Sequence, residues 1–267
     1  MILERAVNSM DDLAREMNVL PNHFAFRGQA NADWGLTSTL ERVIGRTWSA
    51  ENARRFESYS LQLFQSKYHI YSGSEHIPTS KLSWLSVMQH YGVPTRLIDF
   101  TTSPYIALYF ALENYDPLSK HDFAVYAIDY TAVMEASIQH IKKVDTKFVE
   151  NRSSLNGKQD AIFDDVVDRY AYDIAWVTEP KELNARIDRQ SGTFLVSGNL
   201  EKTIESVVNL PLYESATILK IRVPAHLYEG VYVALRKMSI NSKSIYGDLG
   251  GLAKSIRMEL QSYNQER

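Results

Sequence analysis

The chain has 267 residues, 45% hydrophobic and 23% charged, which is ordinary for a globular protein and enough to bury a sizeable core. It has no cysteine, which excludes disulfides, thiol catalysis, iron–sulfur clusters and thiolate zinc sites. The formal net charge of −3 supplies no global basic field of the kind that gives general nucleic-acid affinity, although a local basic cleft remains open.

The opening residues, MILERAVNSMDDLAREM, carry acids where a secretory signal needs an apolar run. No apolar stretch approaches the ~20 residues that span a bilayer, so a cytoplasmic location is expected. With no repeat, low-complexity tract or linker in view, the expected architecture is α+β: a single domain over 1–267 with a mixed sheet and flanking helices. Its core is expected over 23–256, with helices at 9–20 and 249–263 as flanks.

In chain order, Ser9 with Asp12 resembles a capping box that starts a short helix. His23 to Arg27 alternates and is rich in Phe, which predicts a strand. An amphipathic helix is expected from Ala50 to Tyr71, with Phe56, Tyr59, Leu63 and Phe64 at helical spacing. Ser80 caps a helix carrying Leu82, Leu85 and Met88, which should stop at Gly92 before Pro94. A turn and short strand follow over 93–100. Ser103-Pro104 then starts an apolar, buried helix over 105–114. Strands are expected at 123–129, 192–196 and 216–223. Helices are expected near 131–141 and 159–168, after Pro224, and from Leu249 to Tyr263.

Several segments carry residues suited to chemistry. Arg27 ends an apolar strand and is followed by Gly28 and Gln29. A guanidinium there either grips phosphate or carboxylate or pairs with an internal acid, and Gly28 would let a ligand approach the backbone. Gln89-His90-Tyr91-Gly92 crowds polar groups next to Pro94-Thr95-Arg96-Leu97-Ile98-Asp99. His90 titrates near neutrality and suits an acid, base or ligand, whereas Arg96 and Asp99 are expected to pair with each other. Thr101-Thr102-Ser103 leads into a helix N-terminus, where free N–H groups attract anions or the hydroxyls simply cap. Gln190, in Arg189-Gln190-Ser191-Gly192, could bond a ribose hydroxyl or an amide. The loop Tyr246 to Leu252 lacks a phosphate-loop ending, so it is expected to be a helix entry with Asp248 as cap. No His pair at i, i+4 and no HExxH motif occurs, so no metal is expected.

Four segments together, FRGQ, QHYGVPTRLIDFTTSPYIALYFAL, RQSGTFLVSG and INSKSIYGDLGGLAKSI, resemble the FRG domain family, with Tyr246-Gly247-Asp248-Leu249 departing from that family's Phe-Pro-Asp-Leu. A more distant likeness is to ADP-ribosyltransferases of the Arg-Ser-Glu class. Arg27-Gly28, Thr101-Thr102-Ser103 before Ala107, Phe110 and Ala111, and Gln190-Ser191-Gly192 are similar to its three motifs. Gly192 stands where that class has its catalytic Glu. The resemblance implies an ADP-ribosyltransferase-like fold and NAD as substrate, acting on a nucleic-acid or protein acceptor in a bacterial toxin or phage-defence setting. It implies Arg27 on the pyrophosphate, Thr101, Thr102 and Ser103 about the ribose, and Tyr91, Phe100 or Tyr105 stacked on nicotinamide. Gln190, His90 or an acid from elsewhere would stand in for the missing Glu, with Gly28, Gln29 and Arg96 completing the nucleotide site. Alternatives are a nucleotide- or nucleic-acid-binding module without turnover, and a NAD glycohydrolase.

Overall fold

The computed structural model describes residues 1–73, 77–116, 118–181 and 185–263. Seven strands form one sheet: β1 Leu3–Ala6, β2 Phe24–Gln29, β3 Ile98–Thr101, β4 Phe123–Asp129, β5 Ala175–Thr178, β6 Gly192–Ser197 and β7 Ile218–Val223. Their order is β1-β7-β4-β2-β3-β6-β5. The β1–β7 pair is parallel and every other pair antiparallel, so the fold is the expected α+β arrangement of a mixed sheet with flanking helices.

Side chains alternate between faces along a strand. Along β4, Phe123, Val125 and Ala127 enter one core, and Tyr126 and Ile128 enter another. All five are buried because helices cover both faces. Leu13 and Met17 of helix Met10–Val19, Leu108 and Leu112 of helix Pro104–Glu113, and Val231 and Leu235 of helix Tyr228–Lys237 fill the first core. Val133 of helix Tyr130–Val144 and Val207 of helix Ile204–Val208 fill the second. A third cluster packs helices Lys81–His90, Tyr130–Val144 and Gln159–Asp165 beside the β5–β6 end.

The helix starts are set by side chains the sequence displays. Ser9, Ser80 and Ser103 accept from the backbone N–H groups of Asp12, Ser83 and Ile106 at 3.1, 3.0 and 3.3 Å, satisfying donors the helix leaves orphaned. Asp12 does not complete a box with Ser9. Its carboxylate reaches the Asn8 N–H instead. The helix Ala50–Tyr71 has the expected bounds, but its apolar stripe faces outward. Phe56, Tyr59 and Leu63 are exposed, while Ala53, Glu57 and Tyr68 are buried.

The sheet has a weak seam. β2 pairs with β4 along its whole length, from Phe24↔Asp129 to Gln29↔Ala124. β3 pairs with β6 from Ile98↔Leu195 to Thr101↔Gly192. Between β2 and β3 the register holds a single pair, Phe26↔Thr101. Two blocks of strands therefore meet at one point and diverge from it. Helix Pro104–Glu113 lies against β2 there. A Cβ on Gly28 would sit 1.8 Å from the Ala107 carbonyl oxygen and 2.5 Å from the Ala111 nitrogen. The Cβ side of Gly28 thus faces a helix backbone, which by itself requires a glycine there. The Gly28, Ala107 and Ala111 positions of the motifs share one packing function.

Candidate functional site

At the seam lies a cleft of about 240 Å³. β2 contributes Phe26, Arg27 and Gly28. β3 contributes Asp99, Phe100 and Thr101. The C-terminal end of helix Lys81–His90 contributes Gln89 and His90, and the turn into β6 contributes Gln190, Gly192 and Thr193. Residues far apart in the chain meet here because β2, β3 and β6 are neighbours in the sheet.

Arg27 is half-buried, and its Nη1 donates to the Asp99 carbonyl oxygen at 2.9 Å. Its Nε has no accessible surface and no hydrogen-bond partner. Burial pulls the guanidinium pKa below the usual arginine range, and the Asp99 carboxylate opposes that pull. Arginine nonetheless stays charged. Among the described residues no ion pair neutralises Arg27, so the internal salt bridge allowed by the sequence does not form. The Asp99 carboxylate accepts from Gln89 Nε2 at 2.9 Å, and Gln89 Oε1 accepts from the Thr95 hydroxyl at 2.6 Å. Gln89 thereby fixes the helix end to β3.

Across the cleft, the Thr101 hydroxyl donates to the Gln190 carbonyl at 2.6 Å and accepts from the Ser103 N–H at 3.1 Å. Thr101 is buried and its hydroxyl is engaged on both sides, so its part is to hold the turn before β6. In that turn Ser191 takes a φ of +47°, a conformation that is costly for a residue with a side chain. The turn places Gln190 Nε2 in the cleft, buried and without a partner. Phe26, Phe100, Phe110, Phe194 and Tyr246 are the aromatic residues of the lining, and His90 joins them with its ring 4.6 Å from Tyr91.

Glu113 and Tyr246 also line the cleft, and neither was singled out as a site residue from sequence. Glu113 ends the apolar helix. Its Oε1 accepts from the Tyr109 hydroxyl at 2.9 Å and from Lys254 Nζ at 3.0 Å, and its Oε2 accepts from the Tyr246 hydroxyl at 2.8 Å. Burial, and next the Glu113 charge, push the Tyr109 hydroxyl far above the usual tyrosine range. The signal for Glu113 was a lone acid closing an apolar helix. For Tyr246 it was the glycine-rich loop, whose Asp248 caps the last helix as expected by accepting from the Gly251 N–H at 2.6 Å.

The remaining sequence candidates lie elsewhere. Gln29 is buried and donates to the Gly35 carbonyl at 3.0 Å. Tyr91 is exposed and lines an apolar surface groove with Tyr59 and Leu63. Ser103 caps its helix, Thr102 lines a neighbouring cavity, and Tyr105 donates to Asn18 at 2.9 Å. Arg96 does not pair with Asp99. It is buried in an ion-pair network with Glu57, at 3.0 Å, and Asp168. Lys81 joins both acids at 3.1 and 2.7 Å. The Arg96 guanidinium lies 4.6 and 5.0 Å from the Tyr170 and Phe163 ring centres. Against the pull of burial, Glu57, Tyr170 and Asp168 hold its pKa above the usual value. Arg96 is buried within this ion-pair network and does not line the cleft, although its Nη1 makes no hydrogen bond.

Residues 22–120 match the FRG domain family. No curated protein and no solved structure matches the chain. The FRG match spans β2, β3 and helix Pro104–Glu113, so it contains Arg27, Gln89, His90, Asp99, Thr101 and Glu113 of the cleft. Gln190, Thr193 and Tyr246 reach the cleft from beyond the matched residues. Among the described residues, no group of three or more His, Asp or Glu is placed to hold a metal ion, and no helix is long and apolar enough to cross a membrane.

Proposed function

We propose that the cleft binds the anionic part of NAD and that the chain is an NAD-dependent ADP-ribosyltransferase-like protein acting on a nucleic-acid or protein acceptor. The observation that carries this reading is the convergence of two unused donors, Arg27 Nε and Gln190 Nε2, in one cleft. A buried donor without a partner carries a desolvation cost of about 1–3 kcal/mol, and more where charge is involved. An anion such as a pyrophosphate would remove both costs at once and would neutralise Arg27. The likeness of Arg27-Gly28, Thr101-Thr102-Ser103 and Gln190-Ser191-Gly192 to transferase motifs points to the same class of ligand.

In this reading Arg27 and Gln190 hold the diphosphate, Phe100 or Phe110 offers a face to a planar ring, and Thr101 keeps Gln190 in position. The bond between ribose C1′ and nicotinamide nitrogen breaks, and its electron pair leaves with neutral nicotinamide. The acceptor's nucleophile bonds to C1′ and gives up a proton, for which His90 and Asp99 stand at the cleft. Rate comes from positioning and fixed charge. The test is nicotinamide release from NAD by purified protein supplied with nucleic-acid and protein acceptors. Release that disappears in Arg27→Ala is expected, and no release with any acceptor overturns the transferase reading.

A binding module without turnover is the second reading. It is favoured by Gly192, which lines the cleft without a side chain to offer the ligand where the transferase motif has its Glu. Calorimetry that shows Arg27-dependent NAD binding, with the ligand recovered intact, would select it.

A further inference from the structure

A second cavity, of about 450 Å³, adjoins the cleft at Thr193, which lines both. The cleft alone falls below the ~300–1,000 Å³ of common ligand pockets, whereas the second cavity lies within that range. Tyr130, Met134 and Trp176 are among its apolar lining, and Arg152, Asn156, Gln159, Thr178 and Glu179 supply polar groups.

Thr178 is 6% exposed, and its hydroxyl makes no hydrogen bond. Its carbonyl is already taken by the Thr193 hydroxyl at 3.1 Å. Gln159 Oε1 is likewise buried and unpartnered. Partial burial of its carboxyl pushes Glu179 above its usual value. The Gln159 amide oxygen can only accept and the Thr178 hydroxyl can also accept, so a ligand that donates would satisfy both. Arg152 stands 5.7 Å from the Tyr130 ring centre, and its charge disfavours a cationic group such as a lysine or arginine side chain. The aromatic walls favour a flat one.

We propose that this second cavity binds a neutral planar heterocycle bearing N–H donors, the chemistry of an amino-purine or amino-pyrimidine base, with Gln159 and Thr178 as its hydrogen-bond partners. Shared access at Thr193 allows the base to belong to a dinucleotide whose phosphates sit at Arg27, or to arrive as a separate base beside it. The site does not require that the first cleft work as proposed.

The probes are adenosine and purine riboside, which lacks the 6-amino group, measured by calorimetry on the full chain. Adenosine is expected to bind, with purine riboside about tenfold weaker, since one hydrogen bond commonly separates such ligands by that factor. Thr178→Val should weaken adenosine about tenfold with an unchanged or higher melting temperature, because it removes a hydroxyl that bonds to nothing. Gln159→Leu should act in the same direction, and Arg27→Ala should leave adenosine binding intact. Absent adenosine binding, equal binding of the two ribosides, or binding lost in Arg27→Ala but unchanged in both cavity variants would overturn the proposal. NAD then separates the two sources. Weaker NAD binding in Thr178→Val marks the base as part of the dinucleotide. Unchanged NAD binding, with adenosine still bound at saturating NAD, marks it as a separate base. If NAD fails to bind while adenosine behaves as expected, the first cleft's reading falls and this one stands.

Discussion

Arg27 and Arg96 look alike in sequence: each is an arginine in a polar motif beside a short strand. They differ in what the fold brings to them. Arg96 meets Glu57 and Asp168 from distant segments, and nothing local announces those partners. Arg27 meets a carbonyl and an opening. Removing a paired buried cation strands its acids, so Arg96→Ala should cost about 3–5 kcal/mol, measured by urea unfolding. Removing an unpaired one relieves a desolvation penalty. Arg27→Met should therefore leave the melting temperature unchanged or raise it while weakening NAD at least tenfold, since each hydrogen bond to a charged group contributes about 1.5–3 kcal/mol. Arg27→Lys should not restore affinity, because a point charge cannot reproduce the planar fork. An Arg27→Met protein that melts markedly lower would show that the guanidinium serves the fold.

At the scale of elements, capping chemistry was the most legible feature. Ser80, Ser103 and Gly92 mark boundaries through local hydrogen bonds and φ preferences, which tertiary contacts leave alone. β1 and β5 were missed. β1 is exposed along its length and is held by backbone pairing to β7, so it displays no alternation. β5 is a four-residue edge strand. The outward stripe on helix Ala50–Tyr71 misled for a related reason: helical spacing reports amphipathicity but not which side faces the core. Leu63→Gln should accordingly change stability by no more than about 0.5 kcal/mol in urea unfolding. Gly28→Ala should behave in the opposite way. Its added methyl meets the backbone atoms of Ala107 and Ala111, which cannot swing aside as a side chain would. Overpacking commonly costs 1–3 kcal/mol, and a backbone obstruction places this substitution at about 3 kcal/mol or more. A smaller loss would mean that the helix slides along β2 with little resistance.

For the whole molecule, the decisive feature is a sheet whose two blocks share the single pair Phe26↔Thr101. The sequence showed most of the strands but not their order, so it could not show that positions 27, 90, 101 and 190 surround one space. Order arises from long-range pairing, which leaves little trace in local pattern. Thr101 joins the blocks beyond that pair. Its hydroxyl ties β3 to the Gln190 carbonyl and to the Ser103 N–H, and the Thr102 N–H donates to the Ser191 carbonyl at 3.0 Å. Thr101→Val keeps the shape but leaves two part-buried polar groups without their partner, at no more than about 1–3 kcal/mol each. The loss should be local. Amide hydrogen exchange at Thr102 and Ser103 should quicken well before exchange at β4 changes, because the seam opens below the global unfolding free energy. NAD affinity should fall with it as Gln190 loses its fixed position. Uniformly faster exchange across β4 and β7 would instead mean that the two blocks unfold together, and that the cleft is as rigid as the core beneath it.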